Sequence, residues 1–478
     1  MERGASGAQG GARRRVTSRG HSIPRALVAL VITTAFASCA ATQAAAVGLQ
    51  TRPADPVVLA GSKLPTLQGA VPHRIVAFRW TGSWHQEPVQ VDQRAQLDLG
   101  RAYNQPPAGV TALTYTDPGT FVGGDPDPNL DANDQVAMMS RDSGAKATAT
   151  RDPAGTVAGS GVEVQVRDPL AAGKVGYLYL FRSKGSLDPS AGRQYVNYSF
   201  DLDSGPYKQT YDTQSGPNPE NSTVTTSYYD QHFSDRWIDD QLRVRAGNAT
   251  RVDILDRHKN LFAPGNCGRS EDTFSAAEGA FVVNIKGPVR AIRAYVGANS
   301  GPYTERQHVF YDRREDITTF LRVHPIPGVM DFFDYSPAAS GMRYRNSFNP
   351  NGVTINGIPD TPAAGASTWE QVSGPQGGLE IVNALSADTP LTVGSYYLDD
   401  SSPGGGEETQ CTGDGAAYGS SGLRVTSSIP NTDPRLGDAA HLTDTRYLYF
   451  GPPSIGPRAA ETRASEIAAP LRLRVVAR

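Results

Sequence analysis

The sequence predicts an all-β fold of two β-sandwich-like modules, the second of a size that admits a large β-supersandwich. Three observations carry this. The 478 residues include 50 glycines and 35 prolines, which punctuate the chain with turns. Between those turns the apolar runs are short and rich in valine, threonine and tyrosine, residues that suit a pleated, half-buried surface. Long segments with a 3.6-residue apolar period are scarce, so helix should stay below about a fifth of the residues.

Taken in chain order, residues 1–46 read as a secretory signal. Arg13-Arg14-Arg15, Arg19 and Arg25 precede the apolar run Ala26 to Ala37, and Ala44-Ala45-Ala46 offers a cleavage point. The expected location is therefore secreted, with lipid anchoring at Cys39 as a second reading because Phe36-Ala37-Ser38-Cys39 loosely matches a bacterial lipobox. No later run approaches the roughly 18 apolar residues of a transmembrane helix. A formal net charge of −3, with no basic run beyond the N-terminus, removes the footprint that nucleic-acid binding needs.

The first module covers residues 50–205, with strands expected at Arg74–Trp80, Gly161–Val166, Val175–Arg182 and Tyr195–Leu202. A passage from Ser204 to Ser222, rich in Gly, Pro and Asn, marks the boundary. The second module covers 223–478. Phe233–Val244 and Ser275–Gly279 are its expected short helices, Asp253 to Asn260 reads as a solvated turn with a metal-binding run as the rival, and Pro403–Glu408 reads as a loop. From Ala291 to Tyr335 the chain reads as a hairpin turning at Asn299-Ser300-Gly301-Pro302, then a further strand and a tight Pro-Gly turn.

Chemistry is expected in that last block. Arg306 and His308 lie two apart on one strand, and so do Arg322 and His324 on the next, which aims each pair to one face. Strand faces are normally apolar when buried, so paired Arg and His suggest one anionic-sugar site. His308, His324 and Tyr311 are the candidate catalytic groups. Arg306, Arg322, Asn299, Asp334 and Tyr335 are the candidate substrate-binding groups, with Asp331 a further carboxylate of the same stretch. The structural alternative is a ladder of salt bridges across a sheet.

Two further features complete the reading. Asp125, Asp127, Asn129 and Asp131 place oxygen side chains at every second position, as a loop wrapping structural calcium does, although Leu130 and Val136 stand where an EF-hand has Gly and Glu. The alternative is a solvated acidic turn. Cys267 and Cys411 remain after export and predict one disulfide, worth roughly 3–4 kcal/mol on the chain-entropy account, with a catalytic cysteine as the rival.

The segment from Glu87 to Asp92, EPVQVD, followed by DPDPNLDANDQVAMMSRD, resembles secreted β-sandwich modules of bacterial proteins linked to polysaccharide breakdown, with Gln135 standing where that pattern carries an acid. Lys286-Gly-Pro-Val-Arg290-Ala-Ile is similar to the GPVRA strand of mutarotase-like domains and polysaccharide lyases. The whole looks like a secreted family of actinobacterial type. The resemblance implies a glycan partner, and the absence of GxSxG, HExxH, CxxC and P-loop signatures leaves a dispersed site. The leading expectation is a polysaccharide lyase acting on a uronic-acid glycan. The alternatives are a noncatalytic cell-envelope or glycan-binding protein, and a glycoside hydrolase using two separated carboxylates.

Overall fold

Period-two alternation dominates the chain, and it produces strands that bury one face each. The computed structural model describes residues 49–262, 274–298, 300–322, 326–402, 417–429 and 442–478. Strand makes up 46% and helix 9%, so the all-β expectation holds. The signal segment, Cys39, Cys267, Cys411, Asn299 and His324 lie outside the described residues. Among those described, no helix is long and apolar enough to cross a membrane.

The largest element is a nine-stranded antiparallel sheet. Its order is Gly279–Ile285, Ala291–Gly297, Thr304–Phe310, Arg314–Leu321, Leu442–Gly451, Gly377–Ala387, Trp369–Gly374, Arg343–Asn346 and Val353–Thr354. One face is covered by two four-stranded sheets. The first comprises Val196–Ser199, Ser222–Thr226, Tyr229–Asp235 and Ile238–Val244; it stacks Tyr229 on Phe450 with centroids 3.8 Å apart and sets Phe233 edge-on to Phe310. The second runs Leu255–Phe262, Val329–Tyr335, Ala417–Val425 and Val393–Asp400. The opposite face receives the helix Ala459–Ala468, whose Ala460 packs with Trp369 and Val382.

A separate five-stranded sheet runs Arg472–Ala477, Val162–Arg167, Val175–Arg182, Ile75–Trp80 and Trp84–Glu87. It contains three of the four strands expected in the first module. The fourth, at Val196–Ser199, belongs to another sheet and pairs with Ser222–Thr226, directly across the proposed boundary. The chain end returns to pair Arg472–Ala477 with Val162–Arg167. The two expected modules are thus interleaved.

Three local expectations are corrected. Phe233–Val244 is the end of one strand and the whole of the next, joined at Arg236-Trp237, because Tyr229, Gln231, Phe233 and Asp235 alternate inward with period two. Ser275–Ala277 turns and bends rather than forming helix, and Gly279 opens the strand Gly279–Ile285. Asp253 to Asn260 is not a solvated turn: Leu255–Phe262 is a strand, and His258, Lys259 and Asn260 are all buried.

Candidate active site

Strand parity decides which side chains of the nine-stranded sheet face inward. Arg306 stands opposite Thr319, Thr319 opposite Asp444, and Arg446 opposite Asn383, so all of these share the covered face with His308 and Glu370. On the covering sheet, Asn260 stands opposite Asp331, and His258 lies two residues from Asn260 on the same face. The two sheets therefore meet through charge where a sandwich usually meets through alkyl groups.

Asp331 is the centre. Its carboxylate accepts hydrogen bonds from His258 Nε2 at 2.7 Å, Arg306 Nη2 at 2.7 Å and Arg446 Nη1 at 2.8 Å. Arg446 reaches on to Glu370 Oε1 at 2.9 Å, and Arg306 Nε donates to Thr319 at 3.1 Å. Burial alone would raise the Asp331 carboxyl, but His258, Arg306 and Arg446 together hold it well below the usual carboxylate range. An ionised carboxylate only accepts, so His258 carries its proton on Nε2 and keeps a bare lone pair on Nδ1. Burial lowers that ring to about 4, overcoming the pull of Asp331, and the imidazole is neutral at pH 7.

Around this pair lies a set of polar atoms with no hydrogen-bond partner among the described residues: His258 Nδ1, both carboxyl oxygens of Asp444, both amide atoms of Asn260 and Oδ1 of Asn383. Buried polar groups in folded proteins are nearly always paired, with protein atoms or with ordered water. Burial, and then the charge of Asp331, push the Asp444 carboxyl up to about 8. Asp444 therefore stays protonated at neutral pH beside an ionised Asp331. The two carboxyl groups are thus driven in opposite directions by their surroundings.

The residues singled out in the sequence fare differently. Arg306 and Tyr335 face this interior, and Tyr335 bonds Ser421 at 2.8 Å. His308 also faces inward, but both ring nitrogens are occupied, Nδ1 by Glu315 at 2.8 Å and Nε2 by Tyr295 at 3.0 Å. Burial, then Arg306 and Arg293, lower its pKa well below the ordinary value. Tyr311 accepts from Arg290 at 3.2 Å, and burial raises its phenol to about 12.

Arg322 and Asp334 belong to the outward faces. Arg322 bonds Glu305 at 2.7 Å on the side of the sheet opposite Arg306, while Asp334 bonds Lys259 at 2.8 Å on the side opposite Asp331. The expectation that Arg306 and Arg322 line one site is thereby corrected. The antiparallel register pairs Arg306 with Thr319, an odd number of residues from Arg322, so the two guanidinium groups point to opposite faces.

The acidic loop also has a local account. Asp125 caps the amide of Asp127 at 2.8 Å, Asp127 that of Asn129 at 3.1 Å, and Asp131 that of Asn133 at 2.9 Å. These are successive Asx turns, the side-chain geometry that Asp and Asn favour in loops. The turns account for the alternating acidic spacing of Asp125, Asp127, Asn129 and Asp131 by local capping. The two segments carrying the family resemblance do meet: Arg290 Nε bonds Asp92 at 2.8 Å, Gln90 accepts from the amide of Arg290 at 3.0 Å, and Gln135 accepts from Arg290 Nη2 at 2.7 Å.

His258, Asn260, Asp444 and Arg446 were missed in the sequence. The available signal was the one that singled out Arg306 and His308, two polar residues two apart on a strand, here His258-x-Asn260 and Asp444-x-Arg446.

Fold and site together define an all-β protein with a charged interior between two facing sheets. No protein-family model matches the sequence, and no curated protein matches it. Among solved structures, the chain is similar to a proposed aldose 1-epimerase from Escherichia coli K12, with TM-score 0.29 and 12% identity over 54% of this chain and 100% of that one. It is also similar to a family GH92 α-mannosidase from Bacteroides thetaiotaomicron, with TM-score 0.28 and 13% identity over 58% of this chain and 33% of the mannosidase. Superpositions this loose carry no argument about activity.

Proposed function

We propose that this protein is a carbohydrate-active enzyme that hydrolyses glycosidic bonds by acid–base catalysis between the two facing sheets. The carrying observation is Asp444, a buried carboxyl group with both oxygens unpartnered, raised to about 8 beside an ionised Asp331. In this reading Asp444 protonates the leaving glycosidic oxygen. His258 Nδ1, its ring oriented by Asp331, takes a proton from the water that attacks the anomeric carbon. The glycan itself is inferred from the resemblance of the 87–92 and 286–292 segments to modules linked to polysaccharide breakdown.

Hydrolysis suits the arrangement better than elimination from a uronate. A lyase needs a cation or an amide donor for the uronate carboxylate; Arg306 and Arg446 are already bound to Asp331 and Glu370, which leaves that role to the amide of Asn260. The test is a panel of soluble polysaccharides read two ways, by reducing ends and by ultraviolet absorbance of unsaturated products. Reducing ends without absorbance, abolished in Asp444→Asn, are expected. An absorbing product, or full activity in Asp444→Asn, would overturn the reading.

Burial favours a second reading, the noncatalytic glycan binder. Asp331, Asp444 and His258 are 1%, 3% and 5% exposed, so turnover requires the sheets to admit substrate. Retention of a glycan with no product from any polymer would select it.

A further inference from the structure

Arg343 and Arg345 stand two apart on the strand Arg343–Asn346, so both point to one face of the nine-stranded sheet. Their partners across the sheet are Ser373 and Gln371, whereas Asn346 pairs with Glu370, whose side chain bonds Arg446 on the covered face. The two arginines therefore lie on the outward face, opposite Asp444 and Arg446. A turn assembles the pair. Gly352 sits in the left-handed region at φ 68°, and its amide closes the turn on the Asn349 carbonyl at 3.0 Å. A Cβ on Gly352 would stand 2.7 Å from Arg345 Cγ and 3.2 Å from Arg343 Cγ, so both stems pack against this one glycine. The same turn holds the Arg343 guanidinium: Nε donates to the Asn351 carbonyl at 2.7 Å and Nη2 to that of Gly352 at 3.0 Å. Arg345 donates from Nη1 to Ser373 Oγ at 3.1 Å. Groups fixed in this way before a ligand arrives lower the ordering cost of binding it.

We infer that Arg343 and Arg345 together bind a tetrahedral oxyanion, a sulfate or phosphate group, between their guanidinium groups. Every bond these two arginines make among the described residues is to a neutral oxygen, so neither charge is answered. Glu380, opposite Gln371 on the same face, is already bound to Arg463 at 2.8 Å. Arg345 keeps Nε and Nη2 without a partner among the described residues, and these two parallel donors form the edge of the fork that takes two oxygens at once. Ser373 Oγ accepts from Arg345 and, at 3.4 Å, from Gln371 Nε2, which leaves its own hydroxyl proton to donate. Arg343 is exposed and Arg345 only partly buried, so these donors are within reach from solvent. Burial, and then the charge of Arg343, lower the Arg345 guanidinium from its ordinary value, a repulsion that an anion seated between them reverses. Two adjacent positive charges favour a group carrying more than the single charge of a carboxylate.

Isothermal titration with sodium sulfate, sodium phosphate and sodium acetate at constant ionic strength tests the inference. Sulfate or phosphate should bind the parent saturably, and whichever binds more tightly names the anion; acetate should bind more weakly than either. Arg345→Gln should weaken the binding roughly tenfold, about 1.4 kcal/mol. Arg345→Lys keeps the charge without the fork and should recover only part of it. A second measurement needs no variant. The preferred anion should slow phenylglyoxal modification of Arg343 and Arg345 in the parent, read by peptide mass spectrometry, and should leave the rate at the exposed Arg458 unchanged.

Absence of saturable binding by both tetrahedral anions, acetate binding as tightly as they do, binding undiminished in Arg345→Gln, or equal protection of Arg458 would each overturn the inference. It stands apart from the catalytic reading, because the arginine pair and Asp444 lie on opposite faces of the sheet and Arg345→Gln should turn over a responsive glycan as the parent does.

Discussion

Leu178 and Leu180 in the Val175–Arg182 strand occupy the same kind of position as Arg306 and His308 in Thr304–Phe310. Each pair lies two residues apart on the inward face of an antiparallel sheet, and each is essentially inaccessible. Around the leucines the sheet packs on Val57, Ile75, Val136, Met138 and Val164, an interior of alkyl groups whose cohesion needs no partner. Around Arg306 and His308 every charge must be answered, by Asp331, Glu315 or Thr319. The difference teaches that burial alone says nothing about role. An alkyl face is stable wherever water is excluded, whereas a charged interior persists only with its full set of partners and often costs stability relative to an apolar one.

The largest expected effect bears on that contrast directly. Asp444→Asn should lower turnover on a responsive glycan by roughly 10²–10⁴-fold, the range for removal of a general acid. Its stability should move the other way. Folding raises the Asp444 pKa from its ordinary value near 3.8 to about 8, so the folded state binds the extra proton between those pH values. Parent stability therefore falls as pH climbs from about 4 to about 8. The asparagine variant lacks this loss, and urea unfolding should show its advantage growing across that window; an advantage independent of pH would contradict the assignment.

Next in size, Arg446→Ala should cost about 3–5 kcal/mol by leaving Asp331 and Glu370 without their shared cation. The penalty should shrink in acid, as the stranded carboxylates take up protons. In the apolar sheet, Leu180→Ala should cost about 2–5 kcal/mol through lost burial and a residual cavity. That loss should be the same at pH 5 and pH 8. Equal pH dependence for the two variants would erase the distinction between the regions.

The smallest effect sharpens the correction at His308. His308→Ala should destabilise by roughly 1–3 kcal/mol, because Tyr295 and Glu315 lose their buried partner. Any fall in activity should track the loss of folded protein. A large drop in turnover at unchanged melting temperature would return His308 to the site.

What could be read in advance follows from the range of the signal. Period-two alternation and turn residues are local, so the all-β class, the Val175–Arg182 strand and the hairpin joining Ala291–Gly297 to Thr304–Phe310 were legible from neighbours a few residues away. The inward aim of Arg306 and His308 followed from the same alternation. Register between strands is set by pairing and by the loop that joins them, and it placed Arg322 on the face opposite Arg306. Which sheet covers which face depends on contacts far apart in sequence, such as Arg446 with Asp331 and Arg306 with Asp331. Local periodicity names the face a side chain takes. Only the packing of one sheet on another decides whether that face meets solvent, alkyl groups or an opposite charge, because the partner's desolvation and distance set the energy of a buried ion and neither is written near it in the chain.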